Sequence, residues 1–290
     1  NPSSPAAVPN FDIVAIGADG YVDFYNYAGS TDLLGDIAGY FVRGSTYSPL
    51  TPVRLFDTRH GTGGVTQAPI GPNSTLKVKV AGVDGVPANA TAVALNITAV
   101  DATEGTYITA WPDGATQPKA SNLNPSSPAA VPNFDIVAIG ADGYVDFYNY
   151  AGSTDLLADI AGYYTAGSTY TPLTPVRLFD TRHGTGGVTQ APIGPNSTLK
   201  VKVAGVDGVP SDATAVALNI TAVNATEGTY ITAWPDGATQ PKASNLNPDS
   251  PAAVPNFDIV AIGTDGYVDF YNYAGSTDLL ADIAGYSAPS

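Results

Sequence analysis

The most reactive side chains gather in one short run, Arg54-Leu-Phe-Asp57-Thr-Arg59-His60-Gly-Thr-Gly-Gly64, which recurs as Arg177, Asp180, Arg182 and His183. An aspartate flanked by two arginines, with a histidine beside them, can bind an anion or a carboxylated sugar, or supply an acid–base pair. Asp57 and Arg59 can instead pair with each other or cap the glycine-rich loop, fixing a turn between strands. The second reading is preferred, because the inventory is too poor for catalysis. The chain has 2 His and no Cys, so a Ser-His-Asp system would depend wholly on His60 or His183, and no Gly-x-Ser-x-Gly elbow accompanies them. A carboxylate pair built on Glu104 or Glu227 with one of the many turn aspartates is a match that chance supplies. No enzymatic activity and no cofactor are therefore expected. Asp84, Asp113 and Asp142 leave calcium as a minor alternative, but they lack EF-hand spacing and fit Asx turns.

Aromatic residues form the second candidate set: Trp111, Tyr144, Tyr148 and Tyr150, with Trp234, Tyr267, Tyr271 and Tyr273 one period later. In a strand some of them must face outward, where they would offer either a platform for sugar rings or a packing surface between modules. The sequons of the first full copy, at Asn73, Asn89 and Asn96, read as incidental Asn/Thr content. Lys77, Lys79 and Lys119 with Glu104 are the ingredients of a Lys–Asn or Lys–Asp amide cross-link, a minor alternative.

These residues are carried on a repeat. Of 290 residues, the chain holds two full periods of 123 and 44 more, and 47–163 differs from 170–286 at only six of 117 positions: Ser48/Thr171, Ala88/Ser211, Asn89/Asp212, Asp101/Asn224, Ser126/Asp249 and Ala141/Thr264. All six are small or polar exchanges that leave the apolar pattern intact, as copies burying the same core require. A unit of this size is expected to own a core, like a bead on a string. Residues 53–163 and 176–286 are read as complete modules. The Pro-rich stretches 44–52 and 164–175 are read as linkers or strand crossings, and 1–43 as the last third of a further module. That third carries Phe11–Gly17, Tyr21–Tyr27 and Leu33–Tyr40, strand-like segments whose apolar face has nothing of its own to cover it. Either a longer array or a neighbouring chain is expected to complete it. The start at Asn1, without an initiator Met or leader, fits a mature or excised piece.

Alternation of period two in Thr75–Val80, Thr91–Thr98 and Tyr144–Asn149 predicts half-buried strands. Val53–Phe56, Gly105–Trp111, Phe134–Ile139 and Leu156–Tyr163 add further strands, separated by Gly-, Asp- and Pro-containing turns. Seven or eight short strands per period, with no convincing helix, predict an all-β protein of tandem antiparallel sandwiches, jelly-roll or immunoglobulin-like. A formal charge of -15, from 11 basic and 26 acidic residues, excludes nucleic acid and anionic membrane surfaces as expected partners. No apolar run approaches the length of a membrane helix.

The ordered set Pro-Val-Arg-Leu-Phe-Asp-Thr-Arg (52–59), Gly-Val-Asp-Gly-Val-Pro (82–87), Ala-Val-Ala-Leu-Asn-Ile-Thr (92–98), Gly-Thr-Tyr-Ile-Thr-Ala-Trp-Pro (105–112), Ala-Ser-Asn-Leu-Asn (120–124), Val-Pro-Asn (131–133) and Asp-Ile-Ala-Gly-Tyr (159–163) resembles a repeat domain of secreted and cell-surface proteins of actinobacteria and related bacteria. The resemblance spans essentially the whole chain. It implies an extracellular or cell-surface location and a supporting or adhesive task, with no catalytic residues to carry over. Two functions are expected to compete: a structural filament or stalk built by self-association through identical junctions, and a multivalent array that binds a cell-surface glycan.

Overall fold

A computed structural model of the chain describes residues 8–37, 39–42, 46–126, 128–167 and 169–289. The described residues contain strands and turns and no helix. The first module comprises β1 (Tyr47–Asp57), β2 (Ser74–Lys79), β3 (Ala90–Val100), β4 (Ile108–Pro112), β5 (Val131–Ala138), β6 (Tyr144–Asn149) and β7 (Asp155–Thr165). The second repeats it as β8 (Tyr170–Asp180), β9 (Ser197–Lys202), β10 (Ala215–Val223), β11 (Ile231–Pro235), β12 (Val254–Ala261), β13 (Tyr267–Asn272) and β14 (Asp278–Ser287).

Each module is a sandwich of a four-stranded sheet, β1-β7-β3-β5 or β8-β14-β10-β12, and a three-stranded one, β2-β6-β4 or β9-β13-β11, with the paired strands antiparallel throughout. Alternation explains the layers. In β3, Val93, Leu95 and Ile97 point into the sandwich, where they meet Phe56, Phe147 and Leu156, and Phe56 lies 5.0 Å from Phe147 between ring centroids. The second module builds the same core around Phe179 and Phe270. Fully burying side chains of this size contributes about 1.5–3 kcal/mol each, so each module has the core that the repeat length predicted.

Three expectations need revision. First, Tyr47–Thr51 and Tyr170–Thr174 are not free linkers. They are the opening halves of β1 and β8, paired with the ends of β7 and β14 through bulges near Pro49/Val53 and Ile283/Gly285. An edge position and a bulge accommodate prolines that a central strand would reject. Gly44 and Ser45 lie outside the described residues. Second, β3 is not half-buried. Ala92 and Ala94 on its other face are as fully buried as Leu95. Third, Phe11–Gly17, Tyr21–Tyr27 and Leu33–Ile37 form no strands, and Phe24, Leu34 and Ile37 are 71%, 88% and 92% exposed. Their counterparts one period on, Phe147, Leu157 and Ile160, are buried in the first module. The sequence is the same but for Gly35, which stands where the first module has Ala158; what differs besides is the β1–β4 half against which it would pack.

Candidate functional site

The arginine–aspartate run folds as a closed ionic knot at the end of β1. Asp57, 1% exposed, accepts from Arg54 Nη1 at 2.9 Å, from Arg59 Nη2 at 2.6 Å and Nε at 3.0 Å, and from the Arg59 backbone N–H at 3.0 Å. Arg54 in turn donates through Nε to Asp159 on β7 at 2.6 Å. The second module reproduces the set with Arg177, Asp180, Arg182 and Asp282. The Arg59 hydrogen bonds hold the Asp57 carboxyl below the usual carboxylate range. At Asp180 burial pushes upward, and the Arg182 and Arg177 contacts outweigh it. The chain then turns through Gly63, whose φ of 74° and close approach to the Leu55 carbonyl oxygen leave no room for a Cβ. The carboxylate of this knot is spent on its own arginines, and the geometry is that of a turn organiser.

His60 stands apart. Its backbone N–H donates to the Asp57 carbonyl at 3.2 Å, but its side chain is exposed and outside the knot. Changing His60 and His183 together to alanine is therefore expected to move stability by no more than about 0.5 kcal/mol, read as an unchanged denaturant midpoint. A midpoint shift of several times that size would return the histidines to the structural core of the motif.

The aromatic set divides. Trp111 and Trp234 are buried, and Trp111 Nε1 donates to the Ala115 carbonyl at 3.3 Å, so neither belongs to an outward platform. Tyr144 lies under Lys77 and Lys79, each 4.6 Å from its ring centroid, and Tyr267 lies likewise under Lys200 and Lys202. The Tyr148 hydroxyl donates to Asn73 Oδ1 at 2.8 Å and Tyr271 repeats this with Asn196. Tyr150 stacks on Tyr107 at 4.7 Å with an interplanar angle of 14°, and Tyr273 on Tyr230 likewise. Lys77 Nζ sits 2.7 Å from both Asp113 and Asp142, while Glu104 packs near Gly152 and is not among the Lys77 partners. The turn aspartates thus hold a lysine, and no three His, Cys, Asp or Glu side chains gather in a metal-ligating group among the described residues.

The richest polar constellation, absent from the sequence reading, lies between repeats. The outer face of the first module's four-stranded sheet packs against its counterpart in the second, forming a separate core of Tyr47, Ala92, Ala94, Phe134, Ile136 and Tyr164 with Tyr170, Ala217, Phe257 and Ala284. Asn133 donates to Asn219 Oδ1 at 2.8 Å and to the Asn122 carbonyl at 2.7 Å, and accepts the Phe257 backbone N–H at 3.1 Å. Asn219, the counterpart of the Asn96 sequon, donates to the Ser121 carbonyl and is spent inside the junction. Asp135 beside it hydrogen-bonds Asn122. Burial pushes its carboxyl up to about 7 against the lowering effect of the Asn122 and Ile136 hydrogen bonds, with Asp282 adding repulsion. Asp282 is covered by the neighbouring module, its side chain 3% exposed, whereas its counterpart Asp159 is 29% exposed. The alternating Ala92-Val-Ala-Leu-Asn96 pattern carried the available signal: large residues on one face, and on the other the small residues that let two sheets approach.

Beside this junction a cleft of about 460 Å³ is lined by Tyr107, Gln117 and Lys119 of the first module and Arg177, Arg182 and Leu280 of the second. Fold and site together define a tandem antiparallel β-sandwich protein with an inter-module core and no assembled catalytic constellation among the described residues. No protein-family model matches the sequence, nor does any curated protein sequence. Among solved structures the chain is similar to the N-terminal CBM22-1-CBM22-2 tandem domain of Xyn10C from Paenibacillus barcinonensis, with 9% identity, a TM-score of 0.25, and coverage of 85% of this chain and 99% of that one.

Proposed function

We propose that this chain is a non-catalytic structural protein of the cell exterior, whose repeats assemble into a fibre or stalk through contacts between copies of the same module. The observation that carries this reading is the second core. A sheet face that a solitary sandwich would leave to water is apolar here and is buried against the next repeat, with asparagine hydrogen bonds setting the register. A repeat surface selected to bind its own kind fits the six exchanges between 47–163 and 170–286, all of small or polar side chains. Electron microscopy of native material should show ordered rods or fibres with a module-sized repeat. Dispersed particles at every concentration would overturn the assembly.

A second reading, a glycan-binding array, is favoured by the cleft. The Tyr107–Tyr150 stack flanks it, and Arg177 and Arg182 supply donors suited to hydroxyls or a sugar carboxylate. It requires that monodisperse chain bind a glycan array and lose that binding on Tyr107→Ala. Assembly without glycan binding would leave only the structural role.

A further inference from the structure

The repeats do not form an open string. We infer that they close around a pseudo-threefold axis, and that the third position, marked by residues 8–42, is a docking surface for the β1–β4 half of a further copy of the repeat. This rests on the assembly reading above for the identity of its occupant and limits it: the inter-module core holds three repeats, so a fibre would grow by contacts between such trios and not by prolonging that core.

The axis is visible in three phenylalanines spaced by one period, Phe11, Phe134 and Phe257. Their ring centroids are 5.5 Å apart for 11–134, 5.8 Å for 134–257 and 5.8 Å for 11–257, with interplanar angles of 60°, 59° and 61°. Were the repeats climbing a screw, the pair two steps apart would be farther apart than the pairs one step apart. Near-equality leaves a climb of about 1 Å or less per repeat, far short of the roughly 10 Å that a further layer of protein needs. A fourth repeat taking the same step would fall on the first.

Polar contacts close the same cycle. The Phe257 N–H donates to Asn133 Oδ1, one repeat back, and the Phe11 N–H donates to Asn256 Oδ1 at 3.2 Å. In a ring of three, the second contact is the first one carried round once more. In the other direction Asn133 donates to Asn219 and Asn10 donates to Asn96 at 3.3 Å, again the same pair one period apart. At the end of β7 the step repeats as Phe41 on Tyr47 at 4.8 Å and Tyr164 on Tyr170 at 4.7 Å. Residues 8–13 therefore already stand where the β5 strand of a third module belongs.

What would cover the rest is specified by the two complete modules. Phe24, Leu33, Leu34 and Ile37 are exposed, and their counterparts Phe147, Leu156, Leu157 and Ile160 are buried where β1–β4 of the same module complete the sandwich. A second intact copy of this chain has no spare β1–β4, since both of its sets are already paired. The occupant is thus a half-repeat with the sequence of 44–123, presenting the Phe56 and Ile108 face.

The absence of Cys makes a labelling test clean. Spin labels at Ala18→Cys, Ala141→Cys and Thr264→Cys, three equivalent exposed turn positions, are paired two at a time, in the full chain and in the full chain extended before Asn1 by a copy of 44–123. Closure predicts that the 18–264 distance equals the 141–264 distance in the extended chain. Docking predicts that amide exchange of residues 33–37 slows by about 100-fold or more on extension. If exchange slows but 18–264 is longer than 141–264, closure fails while assembly between repeats stands. If exchange does not slow, the half-repeat is not the occupant, whatever fibres microscopy shows.

Discussion

Replacing Asp57 with alanine is expected to destabilise the first module by about 1.5–3 kcal/mol, the range for hydrogen bonds to a charged group, because the arginines left behind are partly exposed and water can hydrate them. The carboxylate collects four hydrogen bonds from two arginines and one backbone N–H, and it is nearly inaccessible to water. Its removal leaves Arg59 and Arg54 without their shared acceptor, with Asp159 paired to Arg54 and the more distant Asp155 and Asp101 acting on Arg59. Asp57→Asn should cost nearly as much, because an amide carries no charge to balance them. Arg59→Ala should cost less, since that side chain is 36% exposed and water can hydrate what remains of the set. Urea unfolding of the three variants checks the order. A loss below about 1 kcal/mol for Asp57→Ala would mean that the knot is dispensable and that its residues are kept for a ligand.

The second large effect is a pH dependence of the junction. Asp135 is raised to about 7 and its counterpart Asp258 to about 6, both chiefly by burial. An acid whose folded pKa stands above its unfolded value of about 4 stabilises the fold fully when it is protonated in both states. That contribution is lost as pH rises from about 4 through 7. Stability should accordingly fall by about 2–4 kcal/mol between pH 5 and pH 8 from Asp135 alone. The groups facing it are Asn122, the Ile136 backbone N–H, Asp282 and Tyr170, and none is a cation that would offset the charge. Asp57 and Asp180, held low by their arginines, act oppositely but only below about pH 4, so maximal stability should lie in the mildly acidic range. Asp135→Asn should flatten the slope and raise stability at pH 8. An unchanged slope would show that the carboxyl is hydrated and the junction open.

Much of this molecule is legible in its sequence. Alternation in Val93-Ala-Leu-Asn-Ile97 identified a strand and its large-residue face, because a pleated chain sends successive side chains to opposite sides. Glycine and aspartate at 140–143 identified a turn, where Gly143 takes a φ of 85°. Spacing offered the pairing of Asp57 with Arg59 beside a ligand-binding alternative, and the part that Arg54 plays comes from the fold. Prolines misled at 47–52, because proline density is common both to linkers and to bulged edge strands. Trp111 is set apart from the outward aromatic row as well: only the packing of the sheets puts it inside.

Sequence by itself determined the repeat: its period of 123 residues, the strand-like alternation within it, and the equivalence of residues 1–43 with the last third of a repeat. These follow from local periodicity and from self-similarity, both of which are properties of the chain read in order. Tertiary structure alone decided what the second face of each four-stranded sheet is for, that Phe11, Phe134 and Phe257 meet, and that the repeats turn back on themselves after three. The reason is geometric: a repeat fixes which residues are equivalent, while the rotation between equivalent faces depends on the twist of the sheets and the size of Ala92, Ala94 and Asn96 at their contact, and no one-dimensional pattern encodes that angle.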